Sequence, residues 1–169
     1  MCILDPDVMD DLIIHEQGDC RAVLSTIAHA KDLAPKLRQN DLIEVAALGF
    51  DNAEEALIYG VDHSDITVTA LDANSEPFAM FGVGKKHDQD FIWLLGSEGL
   101  VKNRFTFLKA SKVVLPAMMK DKPTVTNLVY AEYEDSINWL NWLGAKFIRE
   151  VDLRGFRFYE FIIINKDYI

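Results

Sequence analysis

The stretch that most constrains this chain runs from Asp90 to Lys120. It opens with Phe91-Ile92-Trp93-Leu94-Leu95, apolar throughout, with charge on one side and glycine on the other. A strand apolar on both faces belongs inside a sheet that is covered on both sides. Gly96-Ser97-Glu98-Gly99 follows as a turn, and Phe105, Leu108, Leu115 and Met119 then mark a long helical pattern. Such a turn exposes unpaired N–H groups at a helix N-terminus, the physical basis of an anion site. Pro116 predicts a kink or an early end to the helix's regular hydrogen bonding, and Pro123 marks the exit.

At 169 residues, half of them hydrophobic, the chain has the size and apolar content of one domain with a single core. The formal charge of −10 argues against a nucleic-acid binder, which needs a basic face to meet phosphates. Cys2 and Cys20 lack metal-ligand spacing, and the absence of a signal peptide points to a reducing compartment. No apolar run approaches the roughly 20 residues that span a bilayer. His29 and His87 lack a His, Asp or Glu partner at ligand spacing, so no metal site is expected.

Residues 1–18 carry Asp5, Asp7, Asp10 and Asp11 around Pro6 and read as an N-terminal extension, with residues 19–169 as the single domain. Cys20–Leu24 reads as a first strand and Ile27–Arg38 as a helix interrupted by Pro35. Asp41-Leu-Ile-Glu44 and Asp51-Asn-Ala-Glu54 have the form of capping boxes and predict helices over 42–48 and 52–60, stopped by Gly49 and Gly60. Ile66–Leu71 and Phe78–Val83 pair across the turn chemistry of 72–77, and 85–90 is a polar loop. Asn127–Ala131 is another buried strand. Asp135 caps a helix over 136–143 that Gly144 stops, and Asp152–Gly155 joins two final strands as a hairpin. The expected class is α/β (α+β): a mixed, mostly antiparallel sheet of about six to seven strands with helices on both faces.

Several stretches together carry a resemblance: Leu33–Arg38 followed by Asp41 and Glu44, then Glu54–Leu57, Pro77–Val83, Trp93–Gly96 and Trp139–Gly144. Their order and spacing over residues 20–165 resemble the GNAT superfamily of acetyl-CoA-dependent N-acetyltransferases. The closer resemblance is to the internal virion protein A family of short-tailed phages, a branch of that fold. It implies a virion-associated protein, internal, ejected or used in assembly, located in the host cytoplasm during infection or inside the particle. Its implied partners are other virion proteins or a host protein.

In active GNAT enzymes the loop after the fourth strand reads Gln/Arg-x-x-Gly-x-Gly/Ala, and its backbone N–H groups hold the coenzyme A pyrophosphate. By that resemblance the acetyl-CoA contacts fall on Leu95, Gly96, Ser97, Glu98, Gly99, Lys102 and Asn103. Gly99 fits the pattern, whereas Gly96 replaces the Gln/Arg, Val101 replaces the small final residue, and Glu98 sets a carboxylate against the pyrophosphate. Many relatives place a thiolate-protonating Tyr where this chain has Leu140; Tyr133 is the nearest substitute as catalytic acid. Asp41 and Glu44 are candidate bases beside His63 and Glu132, and as a capping box they also have a purely structural reading. Trp93, Trp139, Trp142, Phe105 and Phe107 read as core, with Trp139 and Trp142 three apart on one helix and able to anchor a partner.

Two functional readings stand. One is a phage assembly protein whose GNAT fold has lost acyl transfer; the other is an active N-acetyltransferase acting on a host or phage amine. A third, that acidity mimics DNA, is carried by the N-terminal acids alone.

Overall fold

A computed structural model describes residues 12–168, so Asp5, Asp7, Asp10, Asp11 and Cys2 lie outside the described residues. Eight strands form one sheet: β1 (Ile13–Gln17), β2 (Cys20–Leu24), β3 (Ser64–Leu71), β4 (Pro77–Lys86), β5 (Gln89–Gly96), β6 (Thr124–Tyr130), β7 (Lys146–Leu153) and β8 (Phe156–Ile164). Their order is β1-β2-β3-β4-β5-β6-β8-β7, antiparallel at every step except β5–β6. The strand count exceeds the expected six to seven because Ile13–Gln17, within the stretch read as an extension, pairs with β2. Gly18, at φ +58°, turns the chain between them.

Helices α1 (Ile27–Leu33), α2 (Gln39–Ala47) and α3 (Ala53–His63) cover one face, packing Leu33, Val45 and Leu57 against Met80 and Leu95. The other face carries a one-turn α4 (Gly99–Lys102), then α5 (Arg104–Met118) and α6 (Glu134–Trp142), packed on Phe81, Val83, Val125 and Phe158. Burying side chains such as Leu33 and Leu57 contributes roughly 1.5–3 kcal/mol each.

Local signals placed most elements, with informative shifts. Pro35 ends α1, and a 3-10 turn over Ala34–Lys36 follows. The second capping signature lies one residue later than expected: Asn52 Oδ1 accepts the Glu55 N–H at 2.8 Å, and the Glu55 carboxylate accepts the Asp51 N–H. The polar loop expected over 85–90 is a tight hairpin. Lys86 pairs with Gln89, and His87 and Asp88 both take left-handed φ, of 50° and 63°, as a two-residue turn of the primed kind requires. Pro116 sits in the last turn of α5, which ends at Met118. Phe105, expected in the core, is 66% exposed, and Trp142 is 46% exposed while Trp139 is buried. Both tryptophans lean on α5: Trp139 Nε1 donates to Ser111 Oγ, and Trp142 Nε1 donates to the Leu108 carbonyl.

Gly60 does not stop its helix; it lies inside α3 because an indole passes over it. A Cβ there would sit 2.4 Å from Trp93 Cζ2, and one at Gly82 would sit 2.5 Å from Trp93 Nε1. That nitrogen donates to Ser64 Oγ at 2.8 Å, so displacing the ring would break this bond. Gly60→Ala is therefore expected to destabilise by about 1–3 kcal/mol, the overpacking penalty outweighing alanine's helix preference of roughly 1 kcal/mol. Urea unfolding checks this, and an unchanged or raised midpoint would show that the ring has room.

Candidate functional site

The site begins where the sheet splits. Strands β5 and β6 run parallel but register only at Phe91 and Thr126, after which they diverge. At the root of the fork the Asn127 side chain enters the ladder. Its Nδ2 donates to the Ile92 carbonyl at 2.6 Å and its Oδ1 accepts the Leu128 N–H at 2.7 Å, so the side-chain amide bridges groups belonging to separate strands. Below the root, Lys122 pairs with Asp65 at 2.7 Å and Asp90 at 2.9 Å, tying the segment before β6 to β3 and β5.

The mouth of the fork is held by α2. Arg38 precedes it, and no side chain caps the helix; Asp41 lies in its first turn, fully buried. Arg38 Nε donates to Asp41 Oδ2 at 3.2 Å, and the same oxygen accepts the Gly96 N–H at 3.0 Å. The Arg38 N–H donates to the Gly96 carbonyl, and Leu37 bridges to Ser97. One turn on, Glu44 Oε1 accepts the Tyr130 N–H at 3.0 Å. Asp41 therefore holds the end of β5 and Glu44 the end of β6. Neither is a helix cap; each accepts an N–H from a strand whose neighbour has moved away.

Between these points lies a cavity of about 480 Å³ whose lining comes from both faces of the sheet. Glu44 and Tyr59 contribute from one face, Trp139 and Leu140 from the other, and Leu94 and Asn127 from the two diverging strands. The divergence explains why Phe91, Trp93 and Leu94 are only half-buried although their sequence reads as a fully covered strand. Gly96 N–H and the Ile92 carbonyl both turn into the fork, so the period of two places the backbone groups of Leu94 there as well.

Burial raises the Glu44 carboxyl to about 8, with the Asp41 charge adding to the rise and the Tyr130 N–H and Arg38 opposing it. Burial also raises Asp41, against the pull of Arg38 and the Gly96 N–H. Tyr133 begins α6 with its ring 4.9 Å from the Arg38 guanidinium carbon. Its hydroxyl is buried and close enough to Asp41 for each to shift the other, without a hydrogen bond of ordinary geometry. Burial and then the Asp41 charge raise the Tyr133 hydroxyl far above its usual value. Tyr133 does not line the cavity, whereas Leu140 does. Of the four candidate bases, Glu44 alone lines it. Asp41 lies behind the wall, His63 Nδ1 donates to the Tyr59 carbonyl, and Glu132 accepts from the Tyr130 hydroxyl. Sequence reasoning did not single out Asn127; a polar amide in an otherwise apolar strand was the available signal.

The loop over residues 96–102 has six of its seven backbone N–H groups bonded within the protein. Gly96 N–H goes to Asp41, Ser97 N–H to the Phe78 carbonyl, and Gly99 N–H to Ser97 Oγ. Leu100 N–H goes to the Ser97 carbonyl, and Val101 and Lys102 N–H both go to that of Glu98. Asn103 Nδ2 donates to the Gly99 carbonyl, Glu98 and Lys102 are exposed, and Leu95, packed in the α1–α3 core, also lines the cavity. Of the amides from Gly96 to Lys102 only that of Glu98 has no acceptor among the described residues, so the cavity has room for an arm but the loop offers the head group of coenzyme A one free N–H beside an exposed carboxylate. Among the described residues no group of three metal-ligating side chains gathers, and no helix is long and apolar enough to cross a membrane.

No protein-family model matches the sequence. No curated protein matches it either. Solved structures do match. A ribosomal-protein-S5-alanine acetyltransferase from Vibrio fischeri aligns over 92% of this chain and 98% of its own, at TM-score 0.63 and 12% identity. A GNAT-family acetyltransferase from Bordetella pertussis aligns over 88% and 98%, at TM-score 0.67 and 14% identity. An acetyltransferase from Salmonella typhimurium, solved with acetyl-CoA, aligns over 89% and 96%, at TM-score 0.60 and 10% identity. Identities this low establish architecture and leave chemistry to the site. This chain has the fold of the GNAT acetyltransferases.

Proposed function

We propose that this chain uses the GNAT fold without coenzyme A-dependent acyl transfer, as a virion-associated assembly protein of a short-tailed phage. The observation that carries the first half is the engaged loop: the backbone N–H groups of Gly96, Ser97, Gly99, Leu100, Val101 and Lys102 all have acceptors within the protein. Leu140 at the position of the family's acid, and a net charge of −10 that repels an anionic ligand, point the same way. The particle half rests on the sequence resemblance to the internal virion protein A family, and its partners are other virion proteins or a host protein.

Titration calorimetry with acetyl-CoA and with coenzyme A at low salt tests the first half, since salt screens a weak phosphate contact. The expected result is no heat at millimolar ligand. Micromolar binding that disappears in Lys102→Glu would overturn it. Mass spectrometry of purified particles of the encoding phage tests the second half, and a particle lacking the chain would end it.

A second reading, an N-acetyltransferase acting on a host or phage amine, is favoured by one feature. Glu44 lines the cavity with a carboxyl raised to about 8, suited to exchanging a proton near neutral pH. Micromolar acetyl-CoA binding would move the choice to this reading.

A further inference from the structure

A parallel strand pair normally satisfies its facing N–H and C=O groups by a continuous ladder; here the ladder stops after one registered pair, and side chains take over. Ile92 C=O and Leu128 N–H meet Asn127, Gly96 N–H meets Asp41, and Tyr130 N–H meets Glu44. Asp41 and Glu44 are three residues apart on one helix, so their side chains leave the same face a few ångströms apart. That spacing is built into a helical turn and does not depend on what fills the cleft. Two strand edges with unmet polar groups would otherwise close on each other or recruit another strand.

We propose that three side chains set the width of the fork: Asn127 at its root, with Asp41 on the β5 wall and Glu44 on the β6 wall of its mouth. They are positioning residues. The reach of the Asn127 amide fixes where the strands part, and the first two turns of α2 fix how far apart Gly96 and Tyr130 stand. Arg38 keeps Asp41 in place, through its ion pair and through the contact of its own N–H with Gly96. The inference holds under either functional reading, since it concerns the shape of the cleft and not its use.

Amide NMR of the full chain tests it. Glu44→Leu is expected to speed hydrogen exchange at the Tyr130 amide at least tenfold while leaving Gly96 unchanged, and Glu44→Gln, which keeps an acceptor oxygen, is expected to restore protection. In the wild-type protein the Tyr130 amide shift should follow the Glu44 titration, and in Glu44→Gln it should be flat. Width is read separately, from a nitroxide placed by Glu98→Cys in a Cys2→Ser, Cys20→Ala background. Its broadening of the Val129 and Tyr130 amides should change at least twofold on adding Glu44→Leu, and again on adding Asn127→Leu. Equal broadening in all three proteins, or loss of protection spread evenly over the domain, would reduce these residues to ordinary structural contacts. A variant that does not fold leaves the wild-type titration to decide: a Tyr130 amide shift indifferent to Glu44 ionisation overturns the proposal.

Discussion

Replacing Asp41 with leucine is expected to cost about 3–5 kcal/mol, the penalty for removing one partner of a buried ion pair. The carboxylate is wholly buried and meets two donors, Arg38 Nε at 3.2 Å and the Gly96 N–H at 3.0 Å. Its loss strands a guanidinium that stays charged at any accessible pH and is itself only 8% exposed. It also orphans the amide that ends β5. Against a total stability of about 5–15 kcal/mol for a domain, such a loss is large. Asp41→Asn should cost less, because an amide oxygen still accepts from Gly96 although the charge on Arg38 goes unmet. Urea midpoints with unchanged slopes would check both. A leucine variant within 1 kcal/mol of wild type, about the size of an ordinary surface change, would mean that Arg38 finds solvent and that the pair is not a structural unit.

The second large effect is a pH dependence of stability that runs opposite to that of most carboxylates. Glu44 stands at about 8 in the folded chain, against an ordinary value of 4.5. Between those values the native state holds a proton that the unfolded state has released, so stability falls as pH rises from about 5 to 8 and levels off above. Because the side chain is only half-buried at the edge of the cavity, the loss is discounted to on the order of 2 kcal/mol. Glu44→Gln carries no titrating proton and is expected to flatten that part of the curve, becoming more stable than wild type at pH 9. Unfolding free energies at pH 5, 7 and 9 decide the matter. Parallel curves for the two proteins would show that Glu44 ionises as an exposed acid does.

How much of this was legible beforehand depends on the range of the interactions. Turn chemistry is local, and the hairpin through Asp152–Gly155 lies where it was expected, with Arg154 and Gly155 at φ 53° and 86°. The strand over Cys20–Leu24, the β3–β4 pair and the stop at Gly144 depend on a few neighbouring residues, and they too were readable. The first capping signature misled for an instructive reason. An acid followed three residues later by Glu describes a capping box, and equally two carboxylates on one helical face. Only the contacts of Arg38 and Leu37 with Gly96 and Ser97, across 58 and 60 residues of sequence, place Asp41 inside the helix and not at its start. Phe105 failed likewise: its spacing suits a buried face, but the one-turn α4 and the break at Asn103 rotate it to solvent.

The sequence alone determined the class of fold, because hydrophobic period and turn residues act over a handful of positions and leave few ways to stack helices on a sheet. Set beside the loop of the family it resembles, it also departed at Gly96 and Val101 and placed the Glu98 carboxylate where a pyrophosphate would sit. Only the tertiary structure decided what became of that loop and of the two acids. Whether an N–H is free depends on which acceptor the fold brings to it: Asp41 and Phe78 reach Gly96 and Ser97 from separate elements, while Ser97 and Glu98 serve the later amides from within the loop. Whether a carboxyl is a base, a cap or a brace depends on its burial and on the strand it meets. Those are properties of distant residues brought together, which a pattern read along the chain does not contain.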